Sequence, residues 1–182
     1  MTKVNLRPFV RPNLDVLFVA LNPASQSNSN GHYFSGKKSR FFLLLYKSGL
    51  ITRDVDKSIA DGIVFGSNKI NYKEAQFGIA DLVDDIVETK STRIRTRYHH
   101  VERLVSIIRE LKPRIVCIIH SKVRDAINNS RHPDIVARLD YGNCGKILRG
   151  CDSIFFLNYF PNGNTILDEP KLWMFKELRE AI

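Results

Sequence analysis

The chain has 182 residues, 43% hydrophobic and 26% charged, which is the composition of one globular domain rather than of a disordered or fibrous protein. Its 28 Lys and Arg against 19 Asp and Glu leave a net charge of +9, an excess that favours a polyanionic partner such as nucleic acid. No apolar run approaches the roughly 20 residues that span a bilayer, and the N-terminus lacks a signal peptide's apolar stretch. Three cysteines, Cys117, Cys144 and Cys151, form no C-x-x-C pair, so neither a disulfide framework nor a four-thiolate metal site is expected, and a reducing, cytoplasmic setting fits. The charge is uneven: residues 1–53 hold eight basic side chains against one acid, Asp15, which points to a basic surface.

In chain order, residues 1–13 read as an N-terminal arm. Leu14 to Leu21 is a nearly continuous β-rich apolar run ended by Asn22-Pro23, the pattern of a strand buried on both faces. Lys38 to Ser48 is predicted as a helix ended by Gly49, and Phe77 to Val83 as a weaker strand. His99 to Leu111 places Val101, Leu104, Val105, Ile108 and Leu111 at helical spacing and stops before Pro113. Ile115 to Ile119 is a second buried strand, followed by a helix from Ser121 to Asn129. Lys146 to Leu148 and Ser153 to Leu157 flank the turn Arg149-Gly150-Cys151-Asp152 and read as a hairpin. Lys171 to Ile182 closes the chain as a helix. Buried strands alternating with amphipathic helices predict a single domain over 1–182, an α/β/α three-layer sandwich on a mostly parallel sheet.

Ligands of such sheets sit beyond the carboxyl ends of the strands, so functional residues are expected in the loops Asn22 to Lys38, His120 to Lys122 and Phe160 to Thr165. Proline biases the preceding residue to extended geometry, so Asn22 is presented at a fixed angle. Its amide can hydrogen-bond a water but cannot act as a strong base; by itself Asn22-Pro23 is equally a strand-ending turn. His32, Tyr33 and Phe34 lie in G-H-Y-F-S-G, where loop aromatics serve either as a stacking platform for a base or as anchors on the core. Arg93, Arg95 and Arg97 alternate and would share one side if extended, suiting a phosphate track or a solvated loop. Ser121 and Lys122 open a helix after a strand, a place suited to a phosphate. His99, His100 and His120 show no metal-ligand spacing, and no cofactor or metal is expected.

Together these pieces resemble a family. The run A-L-N-P-A-S-Q-S-N-S-N-G-H-Y-F-S-G-K-K-S-R-F-F, Ala20 to Phe42, is similar to the first motif of the mismatch-specific uracil/thymine-DNA glycosylases, a branch of the uracil-DNA glycosylase superfamily. F-G-I-A-D-L-V-D (Phe77 to Asp84), L-K-P-R-I-V-C-I-I (Leu111 to Ile119) and F-P-N-G-N-T (Phe160 to Thr165) resemble its later segments in the same order. The resemblance covers roughly residues 14–182, with two departures: Ala24 stands where the motif has glycine, and Phe160 where the second motif commonly has asparagine.

The resemblance implies a uracil-DNA glycosylase-like fold and a monofunctional DNA glycosylase. Such an enzyme, acting as a monomer in base excision repair, flips a uracil, thymine or other deaminated base out of mismatched duplex DNA and hydrolyses its N-glycosidic bond. It assigns Asn22 to positioning a water at C1′, Phe34 to base stacking with Tyr33 and His32 beside it, and main-chain groups around Ile79 and Leu82 to the base edge. Lys37, Lys38, Arg40, Ser121 and Lys122 are expected at the DNA. Asn162, Gly163, Asn164 and Thr165 match the loop that enters the minor groove, and an apolar wedge falls to Ile166 or Leu167. Two other readings stand beside it: a nucleic-acid-binding domain of the same fold without useful turnover, and a small-molecule enzyme. The second has against it the absence of G-x-G-x-x-G and G-x-x-x-x-G-K-[ST] motifs.

Overall fold

The computed structural model describes residues 3–162 and 165–182. Five strands form one sheet in the order β2-β1-β3-β5-β4. The strands β1 (Val16–Ala20), β2 (Phe77–Asp81), β3 (Ile115–Ile118) and β5 (Ile154–Leu157) run parallel, and β4 (Gly142–Gly145) pairs antiparallel with β5 at one edge. The first three are buried at every residue, which is why they read as apolar runs without alternation.

Alternation survives within β1 as a choice of core. Val16, Phe18 and Ala20 join the core that holds α2 (Phe41–Lys47), α3 (Ala60–Val64) and Phe175 and Leu178 of α6 (Asp168–Ala181). Leu17, Val19 and Leu21 join the opposite core, with α4 (Tyr98–Leu111) and α5 (Ser121–Asn129). Three layers result, as the sequence pattern predicts. The chain leaves β1 toward the first face and leaves the neighbouring β3 toward the second. Adjacent strands whose following loops part in this way open a crevice at their carboxyl ends.

The N-terminal arm does more than flank the domain. Phe9 makes an antiparallel bridge to Ile79, with hydrogen bonds of 3.0 Å in both directions, and so covers the edge of β2. A Cβ at Gly78 would lie 2.5 Å from the Phe9 carbonyl oxygen and from Leu14 Cδ1, so the arm seats closely only because residue 78 is glycine. Gly49 ends α2 in the left-handed region at φ 76°, as predicted.

Two expectations change. The partner of β5 is β4, not Lys146 to Leu148. Ile147 and Leu148 are buried in the second core, and Leu148 bridges Ile135. The six-residue helix α1 (Ser25–Asn30, SQSNSN) has no apolar periodicity to announce it. It is held by Asn28, 2% exposed, whose amide donates to the Lys3 carbonyl and whose Oδ1 accepts from the Asn5 N–H at 2.7 Å.

Candidate active site

At the crevice lies a cavity of about 470 Å³, a size suited to a small ligand. Its walls come from the carboxyl ends of the parallel strands: Asn22 after β1, Tyr33, Phe34 and Gly36 to Ser39 beyond α1, Asp81 at the end of β2 and Glu88 after it, His120 after β3, Phe160 and Asn162 after β5. Leu6 of the arm closes one side. A second depression of about 360 Å³ lies between the start of α4 and the length of α5.

Asn22 is held by its amide nitrogen. Nδ2 donates to the carbonyls of Pro23 at 3.0 Å, Ile86 at 3.3 Å and Glu88 at 2.8 Å. Three acceptors around one NH2 group fix which end of the amide is nitrogen, so Oδ1 is the end available to a ligand. Among the described residues no donor reaches that oxygen. The arrangement suits an oriented acceptor for a water proton, not a base.

Phe34 lines the cavity with its ring stacked on Phe41, centroids 4.1 Å apart at 21°, which leaves its opposite face for a ligand. Its backbone lies at φ 54°, a region that costs a non-glycine residue on the order of 1 kcal/mol or more. Phe34 is thus held where the loop would not relax by itself. Tyr33, 5% exposed, fixes the same loop. Its N–H donates to Asp61 Oδ2 at 2.8 Å and its hydroxyl to Asp81 Oδ2 at 3.1 Å. Burial and the neighbouring Asp81 carboxylate push the Tyr33 phenol far above its ordinary value, so it remains a donor.

Asp81 ends β2 in register with Ala20 and is 4% exposed. Burial pushes its carboxyl up to about 7, with Asp84 adding to the rise and the Tyr33 hydroxyl and Arg103 opposing it. Arg103 binds the main chain behind the side chain, donating to the Asp81 and Leu82 carbonyls at 2.7 and 2.8 Å, and is paired with Asp84 at 3.0 Å. His120, 8% exposed, caps α5: its Nδ1 accepts from the Lys122 N–H at 3.0 Å. Burial, helped by the Lys122 charge, pulls its pKa down to about 4. The ring is therefore neutral, with its proton on Nε2, and packs 4.9 Å from Phe160. The rule that singled out Asn22, a polar residue at the end of a buried strand, would also have found Asp81 and His120.

The segment Phe160 to Asn162 is clamped. Ser39 bridges Asn162, the Arg40 N–H donates to the Pro161 carbonyl at 3.0 Å, and Lys171, 0% exposed, donates to the Asn162 carbonyl at 2.8 Å. Arg40 is further joined to Asp168 at 2.5 Å, which makes its guanidinium part of this clamp.

Other expected site residues divide. Lys37 and Lys38 are exposed at the cavity rim, and Asn162 lines the wall. Ser121 begins α5, and Thr165 is exposed; Gly163 and Asn164 lie outside the described residues. Ile166 and Leu167, 37% and 71% exposed, follow them. The main-chain groups of Ile79 and Leu82 already have partners within the protein. The Ile79 N–H and carbonyl bind Phe9, the Leu82 N–H binds the Ala20 carbonyl, and its own carbonyl takes Arg103. Their side chains are 0% exposed in the two cores. His32 sits on Asp61 at 2.9 Å, outside the cavity lining. Lys122 Nζ donates to the carbonyls of Ser91 and Ile94 at 2.5 and 3.0 Å, so it ties that loop to the start of α5. Arg93 lies in a 3-10 turn, Ser91–Arg93, and pairs with Glu88, so the three arginines do not form one extended track. The basic excess of residues 1–53 is divided too: Arg11 binds the Phe65 carbonyl and Gln76, at the amino end of β2.

Residues 7–165 match the family described as the Uracil DNA glycosylase superfamily, and the chain belongs to that superfamily. No curated protein matches the sequence. The fold agrees with the family: a five-stranded, mostly parallel sheet between helical layers. Among the described residues no helix is long and apolar enough to cross a membrane, and no cluster of three His, Cys, Asp or Glu residues is placed to hold a metal ion.

Proposed function

We propose that the protein is a monofunctional DNA glycosylase of the mismatch-specific type, releasing uracil, thymine or another deaminated base from duplex DNA. The observation that carries this reading is the pinned amide of Asn22, whose free oxygen belongs to the same cavity wall as the Phe34 ring. A base extruded from the duplex stacks on Phe34 and is held away from solvent. The bond from C1′ to the base nitrogen breaks, the electron pair leaving with the base, and the sugar becomes an oxocarbenium ion. A water held by Asn22 Oδ1 adds to C1′, and its proton passes to the departed base, giving free base and an abasic site. An amide orients that water without abstracting its proton, so the rate relies on a base that leaves well as an anion. Uracil and thymine do so; unmodified cytosine does not.

Lys37 and Lys38 at the rim supply phosphate contacts, and the clamped Phe160 to Asn162 segment carries the groove-entering loop. The test is a panel of end-labelled duplexes, each with one uracil, thymine, hypoxanthine or cytosine opposite guanine, scored for alkali-labile abasic sites. Release from the uracil duplex and none from cytosine is expected. No release from any duplex, with binding retained, would leave a non-catalytic DNA-binding domain instead.

A further inference from the structure

Asp81 is a carboxyl that the water-positioning mechanism does not use, yet it forms part of the same wall as Asn22. The two strands that carry them are neighbours in register, Ala20 beside Asp81, so both side chains emerge at one edge of the sheet. A buried carboxylate normally requires a cationic partner or several hydrogen bonds. Asp81 has one: Tyr33 donates to Oδ2, and among the described residues no donor reaches Oδ1. Charged groups packed around it do not neutralise it. Arg103 of α4 is spent on main-chain carbonyls and on Asp84, Asp84 adds negative charge, and Asp61 of α3 faces Tyr33 and His32 rather than Asp81. Across the cavity stand Glu88, the neutral His120 and, at the rim, Lys37 and Lys38.

Resting on the glycosylase reading, we propose that Asp81 in its neutral, protonated form reads the lactam edge of the extruded base, so that a proton on this residue gates substrate recognition. With Tyr33 occupying Oδ2, the acid proton belongs on Oδ1. A neutral carboxyl then offers one donor and one acceptor side by side, the complement of the C=O and N–H of uracil, thymine or hypoxanthine. A carboxylate offers acceptors only and meets the lactam oxygen with like charge. The amino edges of cytosine and adenine present the reverse order and are not matched by the neutral acid when the base is held in the same orientation. Burial keeps the neutral form populated near neutrality, with the midpoint at about 7.

The experiment is single-turnover release from a uracil·guanine duplex between pH 6 and pH 8.5, by the wild type and by Asp81→Asn. Asparagine offers the same donor and acceptor without the proton. With a midpoint at about 7, the neutral fraction falls about 30-fold across this range. The rate ratio of Asp81→Asn to wild type should therefore rise about 30-fold from pH 6 to pH 8.5, while Asp81→Ala is slowed at both. Melting curves of both variants verify that they are folded. A ratio that stays constant with pH, or falls, overturns the proposal. Failure of the glycosylase reading looks different: neither protein releases base at any pH. The gate is then read from affinity for a duplex holding 2′-fluoro-2′-deoxyuridine, whose glycosidic bond resists cleavage. Uracil-dependent affinity should decline with pH in the wild type only, and a decline shared by Asp81→Asn, or absent from both, refutes the gate.

Discussion

Replacing Asn22 by alanine removes two things at once, and the geometry gives each its size. The structural part is the loss of a donor shared by three carbonyls, two of them at good distances of 3.0 and 2.8 Å. A hydrogen bond of this kind contributes about 0.5–1.5 kcal/mol net, so the loss is about 1–3 kcal/mol. For a domain of this length each kcal/mol moves Tm by about 2–4 °C, and a fall of about 2–12 °C is expected. The catalytic part is the loss of the oriented water, which should slow base release by roughly 10²-fold or more. These effects separate by temperature and by binding. Release is measured under single turnover at 25 °C, where the variant is still folded, and duplex affinity in parallel. Affinity should persist within a few-fold because the phosphate contacts are untouched. A variant with the expected drop in Tm but wild-type release would refute the water-positioning role and leave Asn22 as the pin of the 86–88 loop.

Phe34→Ala should weaken productive engagement by roughly 5- to 150-fold, the equivalent of about 1–3 kcal/mol of base stacking, while Phe34→Tyr is tolerated. Full activity with a lowered Tm would make Phe34 an anchor on Phe41 alone. Reversing Lys37 and Lys38 to Glu should weaken binding to uracil-containing and normal duplex alike and flatten the dependence of log K on log salt by about 1–2 units, whereas Lys112→Glu, beyond the far end of α4, should do little; equal effects would show the rim lysines to be only solvated. Arg40→Ala should act through the Asp168 pair and the Asn162 clamp, lowering Tm with little change in salt slope. A lost slope with unaltered Tm would return Arg40 to the phosphates.

The sequence exposes what burial writes into it. β1, β2 and β3 show as apolar runs because both faces of the sheet are covered, and α4 shows because it has one wet face. The exposed edge strand β4, G-N-C-G, carries no such mark. The apolar Ile147 and Leu148 looked like its replacement although they are irregular backbone filling the core. The site shows the same division. Asn22 is legible because proline and a strand end isolate it, and Phe34 because glycines flank it. Arg40 and Lys122 read in sequence as DNA contacts and His32 as a neighbour of the base, and only tertiary contacts reveal that each has a carboxylate or a carbonyl as its partner. Asp81 was hidden within a segment read for its backbone, and its meaning depends on Tyr33, 48 residues away.

Asp81 and His120 also make a paired prediction about stability, because burial displaces them in opposite directions. Between about pH 4 and 6.5 an unfolded histidine binds a proton that buried His120 refuses, so this residue makes stability rise with pH. Asp81 does the reverse. Between its unfolded value of 3.8 and about 7 the folded carboxyl keeps a proton that the unfolded chain has released, so stability falls as pH rises. At 1.36 kcal/mol per pH unit of displacement, each contribution is on the order of 3–4 kcal/mol across its range. The two slopes overlap from about pH 4 to 6.5 and nearly cancel in the wild type. Each single variant should therefore uncover the other residue. His120→Asn keeps an acceptor at the start of α5, since asparagine is a good N-cap, and leaves Asp81 alone to lower stability from pH 4.5 to 7. Asp81→Asn leaves His120 alone to raise it over the same interval. The double variant should regain the wild-type slope, because both titrations are gone and the remaining carboxylates are common to all four proteins. Urea unfolding midpoints at pH 4.5, 5.5, 6.5 and 7.5 measure this directly. Four parallel curves would show that neither group is held away from its ordinary ionisation, and would remove the physical basis of the proton gate along with it.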